Sequence, residues 1–351
     1  MNEQNSYQWK VCVRCMTYNQ YNYITDALKG FTMQQTDFPY VCCIVDDCST
    51  DGEQEVIKQY LQDNFDLDNK SVVRNEETDD YVLCFAQHKS NKNCYFAVLY
   101  LKYNHYSIKK TKMPYILEWN DNTKYIALCE GDDFWIADDK LQRQVDFLDS
   151  HLDFSLCFHN VNVLSEDETK LGTKLYSHLL EKEYDGNEII RRWTVPTCSV
   201  VYRSDILRYR PSDKDFCVGD NVLFLTAASR GRCYCFNRKM GVYRRSLNGW
   251  IANKFGNVES HYIYVESHYK MIKHMKALLH YFPQYKSGIK SDIASRLVKI
   301  TILQLKESDL SFIRTLLSGL WHYHYHYLYH FIRRFKNSPH YLFISFRNIF
   351  K

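Results

Sequence analysis

The feature that most constrains what this chain can fold into is a repeated pairing, in which a short apolar run closes on polar or acidic residues and a helix-spaced apolar stripe follows. Val11-Cys-Val-Arg-Cys-Met16 ends in Thr17-Tyr18-Asn19, turn-forming residues typical of a strand terminus. Ile24, Ala27, Leu28 and Phe31 then fall on one face of a helix. Val41-Cys-Cys-Ile-Val45 closes on Asp46-Asp47-Cys-Ser-Thr-Asp-Gly52, and Val56, Ile57, Tyr60 and Leu61 form the next stripe, with Ser49 or Thr50 expected as its N-cap. Tyr125-Ile-Ala-Leu128 runs into Cys129-Glu-Gly-Asp-Asp-Phe-Trp135, and Leu141, Val145 and Leu148 continue as a helix. Strand and helix alternating at this spacing predict an α/β fold, a mostly parallel central sheet flanked by helices. Such a sheet binds ligands beyond the carboxyl ends of its strands, where these polar residues stand.

Between Glu76 and Asn122 the pattern is less regular, rich in Tyr, Lys and Asn, and is expected to be an excursion before the sheet resumes. Further strands are expected at Ser155–Phe158, Ser199–Tyr202 and Arg232–Phe236. From Val258 the pattern turns helical, which predicts an α/β domain over 1–257 and a C-terminal helical extension over 258–351.

A content of 45% hydrophobic and 25% charged residues in 351 is that of a folded globular chain, and a net charge of +4, dispersed, excludes nucleic acid as a partner on charge grounds. Met1–Lys10 lacks the apolar core of a signal peptide, so secretion is not expected. Many of the 13 cysteines stand in buried-strand runs, where a thiol acts as a small apolar side chain, which points to a reducing cytoplasm. Neither Cys42-Cys43 nor Cys233-x-Cys235 has the spacing of a zinc knuckle.

The cluster Glu130-Gly-Asp132-Asp133 carries the sharpest chemistry. Carboxylates at a strand end are what a hard divalent cation needs when it also holds a diphosphate. An isolated acidic turn is more often just solvated, but this one follows an apolar strand and is the third polar strand end in order.

Taken together, Met-Thr-Tyr-Asn at 16–19, Val-Asp-Asp-Cys-Ser-Thr-Asp-Gly at 45–52, Glu-Gly-Asp-Asp-Phe-Trp at 130–135 with Lys140-Leu-Gln142, and Gly219-Asp220 resemble glycosyltransferase family 2 over about Trp9 to Trp250. The resemblance implies an inverting enzyme of GT-A fold, with a nucleotide-sugar half at 9–135 and an acceptor half at 136–257. It implies a nucleotide-sugar donor, UDP-linked by the motif, and a divalent cation, Mn²⁺ or Mg²⁺. It places Thr17, Tyr18 and Asn19 at the nucleotide, with Tyr18 against the base, lets Asp47 accept a uracil imide N–H beside Asp46, and makes Asp132 and Asp133 the metal motif. Glu130 stands where an Asp is usual, within reach of the donor sugar or the metal through water. Asp220 matches the general base that takes the acceptor's proton, although an N-cap is its plain structural reading. Thr197–Arg203 resembles a strand lining the acceptor side. Tyr243–Trp250 resembles a loop over the diphosphate, with Arg244 neutralising phosphate charge.

No acidic residue follows Asp309, while Arg314, Arg333, Arg334, Lys336, Arg347 and Lys351 remain among Trp, Tyr and Phe, and no stretch is long and apolar enough to span a bilayer. A cytoplasmic enzyme held peripherally on the inner face of an anionic membrane is the expectation, with a glycan or lipid-linked saccharide as acceptor. His322, His326 and His330 share one helical face but lack a Cys or carboxylate nearby to complete a metal site. Two rivals are a non-catalytic sugar-nucleotide or polysaccharide-binding protein on the same scaffold and a sugar-phosphate nucleotidylyltransferase. The latter would need a Gly-rich, lysine-bearing loop that Met16–Tyr21 does not have. Oligomeric state is not legible.

Overall fold

The apolar runs fold as expected. In the computed structural model, which describes residues 7–165, 175–191, 194–245, 261–307 and 309–337, β1 (Trp9–Thr17) and β2 (Tyr40–Asp46) pair in parallel, Val11 opposite Tyr40 and Thr17 opposite Asp46. Every residue of β2 is buried, which is why its sequence is continuously apolar rather than alternating. The crossover helix α1 (Ile24–Thr32) buries the predicted stripe of Ile24, Ala27, Leu28 and Phe31. α2 (Glu53–Asn64) buries Ile57 and Leu61, and with them Glu53. Its N-cap is Gly52 at φ 94, not Ser49 or Thr50, because the left-handed turn at Gly52 delays the helix past them.

The expected excursion after Glu76 is instead part of the sheet. β3 (Phe65–Asp66), β4 (Arg74–Glu77), β5 (Tyr81–His88) and β6 (Cys94–Leu101) follow α2, and β6 lies parallel to β2 along its whole length. A short loop joins β5 to β6, which permits only an antiparallel pairing. Next come α3 (Leu117–Asp121), β7 (Thr123–Leu128), β8 (Phe134–Trp135), α4 (Lys140–Ser150), β9 (Phe154–Ser165) and β10 (Lys182–Tyr184). Then follow α5 (Gly186–Arg191), β11 (Val201–Arg203), α6 (Gly219–Arg230) and β12 (Arg232–Arg245). The chain continues as α7 (His261–Tyr281), α8 (Lys286–Lys306) and α9 (Ser311–Asn337).

The sheet has the order β10-β12-β9-β11-β7-β1-β2-β6-β5-β3, with β4 on β5 and β8 on β12. Its centre, β7-β1-β2-β6, is parallel, while β11 and β5 on either side run antiparallel, so the sheet is mixed rather than mostly parallel. By contacts the chain forms two compact units. The sheet unit comprises 1–184, 195–209 and 230–245, with a core that includes Trp9, Cys12, Val41, Val45, Ala97 and Leu99. The helical unit comprises 185–194, 210–229 and 246–351, so two segments from the middle of the chain join the C-terminal helices. Ile190, Val222, Leu225, Met275, Ile293 and Tyr327 belong to its core.

Candidate active site

Parallel pairing brings the carboxyl ends of β1, β2 and β7 to one edge of the sheet, and backbone bonds then knit the three loops leaving them. Asp47 N donates to Thr17 O at 3.0 Å, and Cys129 N donates to Arg14 O at 3.1 Å. Gly131 is required by close approach rather than by a tight turn: a Cβ there would overlap Thr17 Oγ1 and the Gln20 side chain.

Glu53, fully buried at the start of α2, ties the first two loops together. Its carboxylate accepts from Thr17 Oγ1, from Gln20 N at 2.8 Å and from Ser49 Oγ at 2.9 Å. Burial raises its pKa, against the pull of those three donors. Sequence reading missed this residue, although a Glu facing an otherwise apolar helix stripe was the available signal. Asn19, in left-handed backbone at φ 53, takes Thr50 N on its Oδ1 at 2.8 Å and gives its own N–H to Ser49 Oγ. Thr17 is buried, whereas the ring of Tyr18 is 45% exposed, which leaves it open to stack on a planar ligand.

Asp46 and Asp47 are both buried, but their oxygens are used differently. Asp47 accepts from His105 N at 2.7 Å, Tyr106 N at 3.1 Å and Lys112 Nζ at 2.6 Å. It therefore anchors the loop that follows β6. Asp46 Oδ1 accepts from Ser49 N and Gln54 Nε2, while its Oδ2 has no partner among the described residues. An unmet buried acceptor is costly, so of this pair it is Asp46 that has an oxygen left for a ligand's donor.

At the end of β7, Glu130 is exposed, Asp132 half-buried and Asp133 buried. Asp133 Oδ1 accepts Arg244 N at 2.8 Å, and the Cys198 thiol bonds the same carboxylate. Burial pushes the Asp133 carboxyl well up, Asp132 and Glu130 push it further, and burial raises Asp132 too, with the Arg244 guanidinium opposing. Tyr243 is raised by burial and by Asp133, Asp132 and Glu130. Two crowded carboxylates short of positive charge suit a divalent cation. Among the described residues no group of three His, Cys, Asp or Glu side chains is gathered for a metal.

Arg244 is committed inward. Its guanidinium pairs with Asp26 at 2.5 Å and donates to Asp132 O at 3.1 Å, with its carbon 4.9 Å from the Tyr23 ring centroid and 4.5 Å from that of Phe134. Behind the motif, Trp135 Nε1 donates to Cys198 O at 2.7 Å, and the Lys140 ammonium stands 4.0 Å over the Trp135 ring. Arg203, in the expected acceptor-side strand, clamps carbonyls of Leu148, His151 and Phe154 instead.

Asp220 lies in the helical unit, half-buried and inside the first turn of α6, which begins at Gly219; it is not the cap. Gly249 and Trp250 of the expected diphosphate loop lie outside the described residues, as do Tyr341 to Lys351 of the tail. Within the histidine stripe α9 kinks at His324, and His330 Nε2 bonds Ser291 Oγ at 3.0 Å. None of the thirteen cysteines is joined in a disulfide, and among the described residues no helix is long and apolar enough to cross a membrane.

Residues 12–82 match the family model described as Glycosyl transferase family 2. An uncharacterized protein of Mycobacterium tuberculosis is 29% identical over 238 residues, covering 67% of this chain and 58% of the relative. TuaG of Bacillus subtilis, described as a teichuronic acid biosynthesis glycosyltransferase, is 26% identical over 172 residues, 48% of this chain and 54% of TuaG. The matches thus span under two thirds of the length of these curated relatives. The fold is similar to that of the mannosyltransferase PcManGT from Pyrobaculum calidifontis, solved with GDP-Man and Mn²⁺. That structure has 12% identity and a TM-score of 0.50, over 99% of this chain and 88% of that one. The architecture is the GT-A fold with C-terminal helices.

Proposed function

We propose that this chain is a family 2 glycosyltransferase that moves a sugar from a nucleotide donor, UDP-linked, to a glycan hydroxyl with inversion at the anomeric carbon, a reading that the match of residues 12–82 to the family supports. The observation that carries this reading is the pair of half-buried Asp132 and buried Asp133 at the strand edge it shares with Tyr18 and Asp46. Tyr18 stacks on the base, and Thr17, Asn19, Asp46 and Asp47 shape the nucleotide's seat, with Asp46 Oδ2 the open acceptor. A divalent cation, Mn²⁺ or Mg²⁺, held by Asp132 and Asp133, would supply the positive charge that lets a nucleoside diphosphate leave. Glu130 faces outward, where it reaches the donor sugar or a metal-bound water. Arg244 braces Asp132 and Asp133 from behind and lends positive field to the diphosphate. Asp220 takes the proton of the attacking hydroxyl.

The setting we propose is assembly of a cell-surface polysaccharide such as capsule or O-antigen, on a lipid-linked saccharide, and the likeness to TuaG supports it. A lipid-linked acceptor is met at a bilayer, so the enzyme is placed on the inner face of the cytoplasmic membrane. Residues 1–257 would form the catalytic part in this reading and 258–351 its appendage. The test is a panel of UDP- and GDP-sugars with and without Mn²⁺ or Mg²⁺. Hydrolysis or transfer that needs the metal supports the reading, and binding without turnover for any donor points to a sugar-nucleotide-binding protein.

A further inference from the structure

The aromatics of α9 divide between two faces. Tyr323, Tyr327 and Phe331 turn inward onto the core of the helical unit, and the Tyr327 hydroxyl reaches Thr301 Oγ1 at 2.7 Å. Ile313, Leu317, Trp321, Tyr325, Leu328 and Ile332 are exposed instead, Trp321 by 76% and Tyr325 by 73%. These six recur every three or four residues, the spacing of a helical face within each segment, and the exposed apolar series continues on both sides of the kink at His324. Six large apolar side chains exposed along the two helical segments that meet at His324 make a stripe larger than the scattered apolar contacts of an ordinary surface.

What covers such a face is narrowed by charge. Arg314, Arg333 and Arg334 are exposed on the same helix, and the sequence holds no acidic residue after Asp309. A second copy docked face to face would set arginine against arginine with no carboxylate from α9 to answer it. A surface of phosphates answers all three, and Trp and Tyr are the side chains that settle at the boundary between headgroups and acyl chains.

We propose that the outward face of α9 lies in the interfacial zone of an anionic phospholipid bilayer, its apolar stripe among the upper acyl carbons and its arginines among the headgroup phosphates. The surface is read from α9 itself and rests on the proposed function only for the leaflet it meets. Vesicle binding measured without any sugar donor therefore succeeds or fails independently of transferase activity.

The test uses the full chain with vesicles of phosphatidylglycerol in phosphatidylcholine and of phosphatidylcholine alone. The protein should sediment with the anionic vesicles, dissociate as salt is raised, and lose Trp fluorescence when the lipids carry bromine on the upper acyl carbons. Trp321→Ser with Tyr325→Ser should weaken binding at least tenfold with unchanged circular dichroism, and Trp321→Phe should remove most of the quenching. Tyr327→Phe, on the inward face, should leave binding as it was. Equal binding to neutral vesicles, no binding to either, or an undiminished double variant overturns the proposal. So does a self-associated species in the absence of lipid that the double variant abolishes, since the stripe would then be an interface between copies.

Discussion

The backbone N–H of Arg244 donates to Oδ1 of Asp133 at 2.8 Å, joining positions 111 apart in the sequence. The same arginine's guanidinium lies against Asp26, Tyr23 and Phe134, so the acidic motif is held from one side by β12 and from another by the start of α1. Both Asp132 and Asp133 are raised by burial, and in Asp133 by carboxylate neighbours as well. The pair thus carries crowded negative charge that burial disfavours and that Arg244 opposes at Asp132.

Asp133→Ala should lower turnover by about two to four powers of ten, the range for loss of a group that stabilises a leaving charge. Asp133→Asn tests the electrostatics separately. A carboxyl whose folded pKa lies above its ordinary value of 3.8 destabilises the native state once both states are ionised. Without metal, the asparagine variant should therefore be more stable than wild type at neutral pH, and the difference should shrink as pH falls towards 3.8. Urea melts across that range measure it; equal stabilities throughout would show that Asp133 carries no buried charge.

Lys140 is fully buried, its ammonium without a hydrogen-bond partner among the described residues, and burial brings its pKa down to about 8 from 10.5. Between those values the unfolded chain holds a proton that the folded one has lost, so this residue's contribution to stability rises with pH through that window. The wild type should gain about 3 kcal/mol relative to Lys140→Met between pH 7 and 10.5. Denaturant midpoints for the two proteins, compared at each pH, cancel the cysteines and tyrosines that titrate in the same range.

Glu53→Gln replaces an acceptor of three hydrogen bonds by an amide that can accept at only one of its two heavy atoms. The loops carrying Thr17, Gln20 and Ser49 should loosen, with about 1–2 kcal/mol lost from nucleotide affinity and a comparable loss of stability. Calorimetry with UDP and thermal melts report the two effects. A variant with wild-type affinity would confine Glu53 to folding.

Asp220→Asn should keep donor and metal binding while abolishing transfer, because an amide is nearly isosteric with a carboxylate but takes no proton. Loss of nucleotide-sugar affinity along with activity would assign Asp220 to the donor side and require another base.

The sequence by itself determined the strand and helix alternation, the buried stripe of α1 and the polar ends of β1, β2 and β7, because these follow from local periodicity and from which residues end a strand. It also showed that the tail is basic and aromatic. It did not show β6, whose run Cys94–Leu101 is as apolar as β2 but stands in a Tyr- and Lys-rich stretch that masks it. Tertiary structure alone decided which acidic groups are already satisfied. Asp46 and Asp47 are adjacent and chemically identical, yet Asp47 is filled by His105, Tyr106 and Lys112, 58 to 65 positions away, while Asp46 keeps an open oxygen. The same holds for α9, where only packing sorts Tyr327 inward and Tyr325 outward. Periodicity is written along the chain, but the partner of a buried charge and the uncovered face of a helix depend on segments that meet only once the chain has folded.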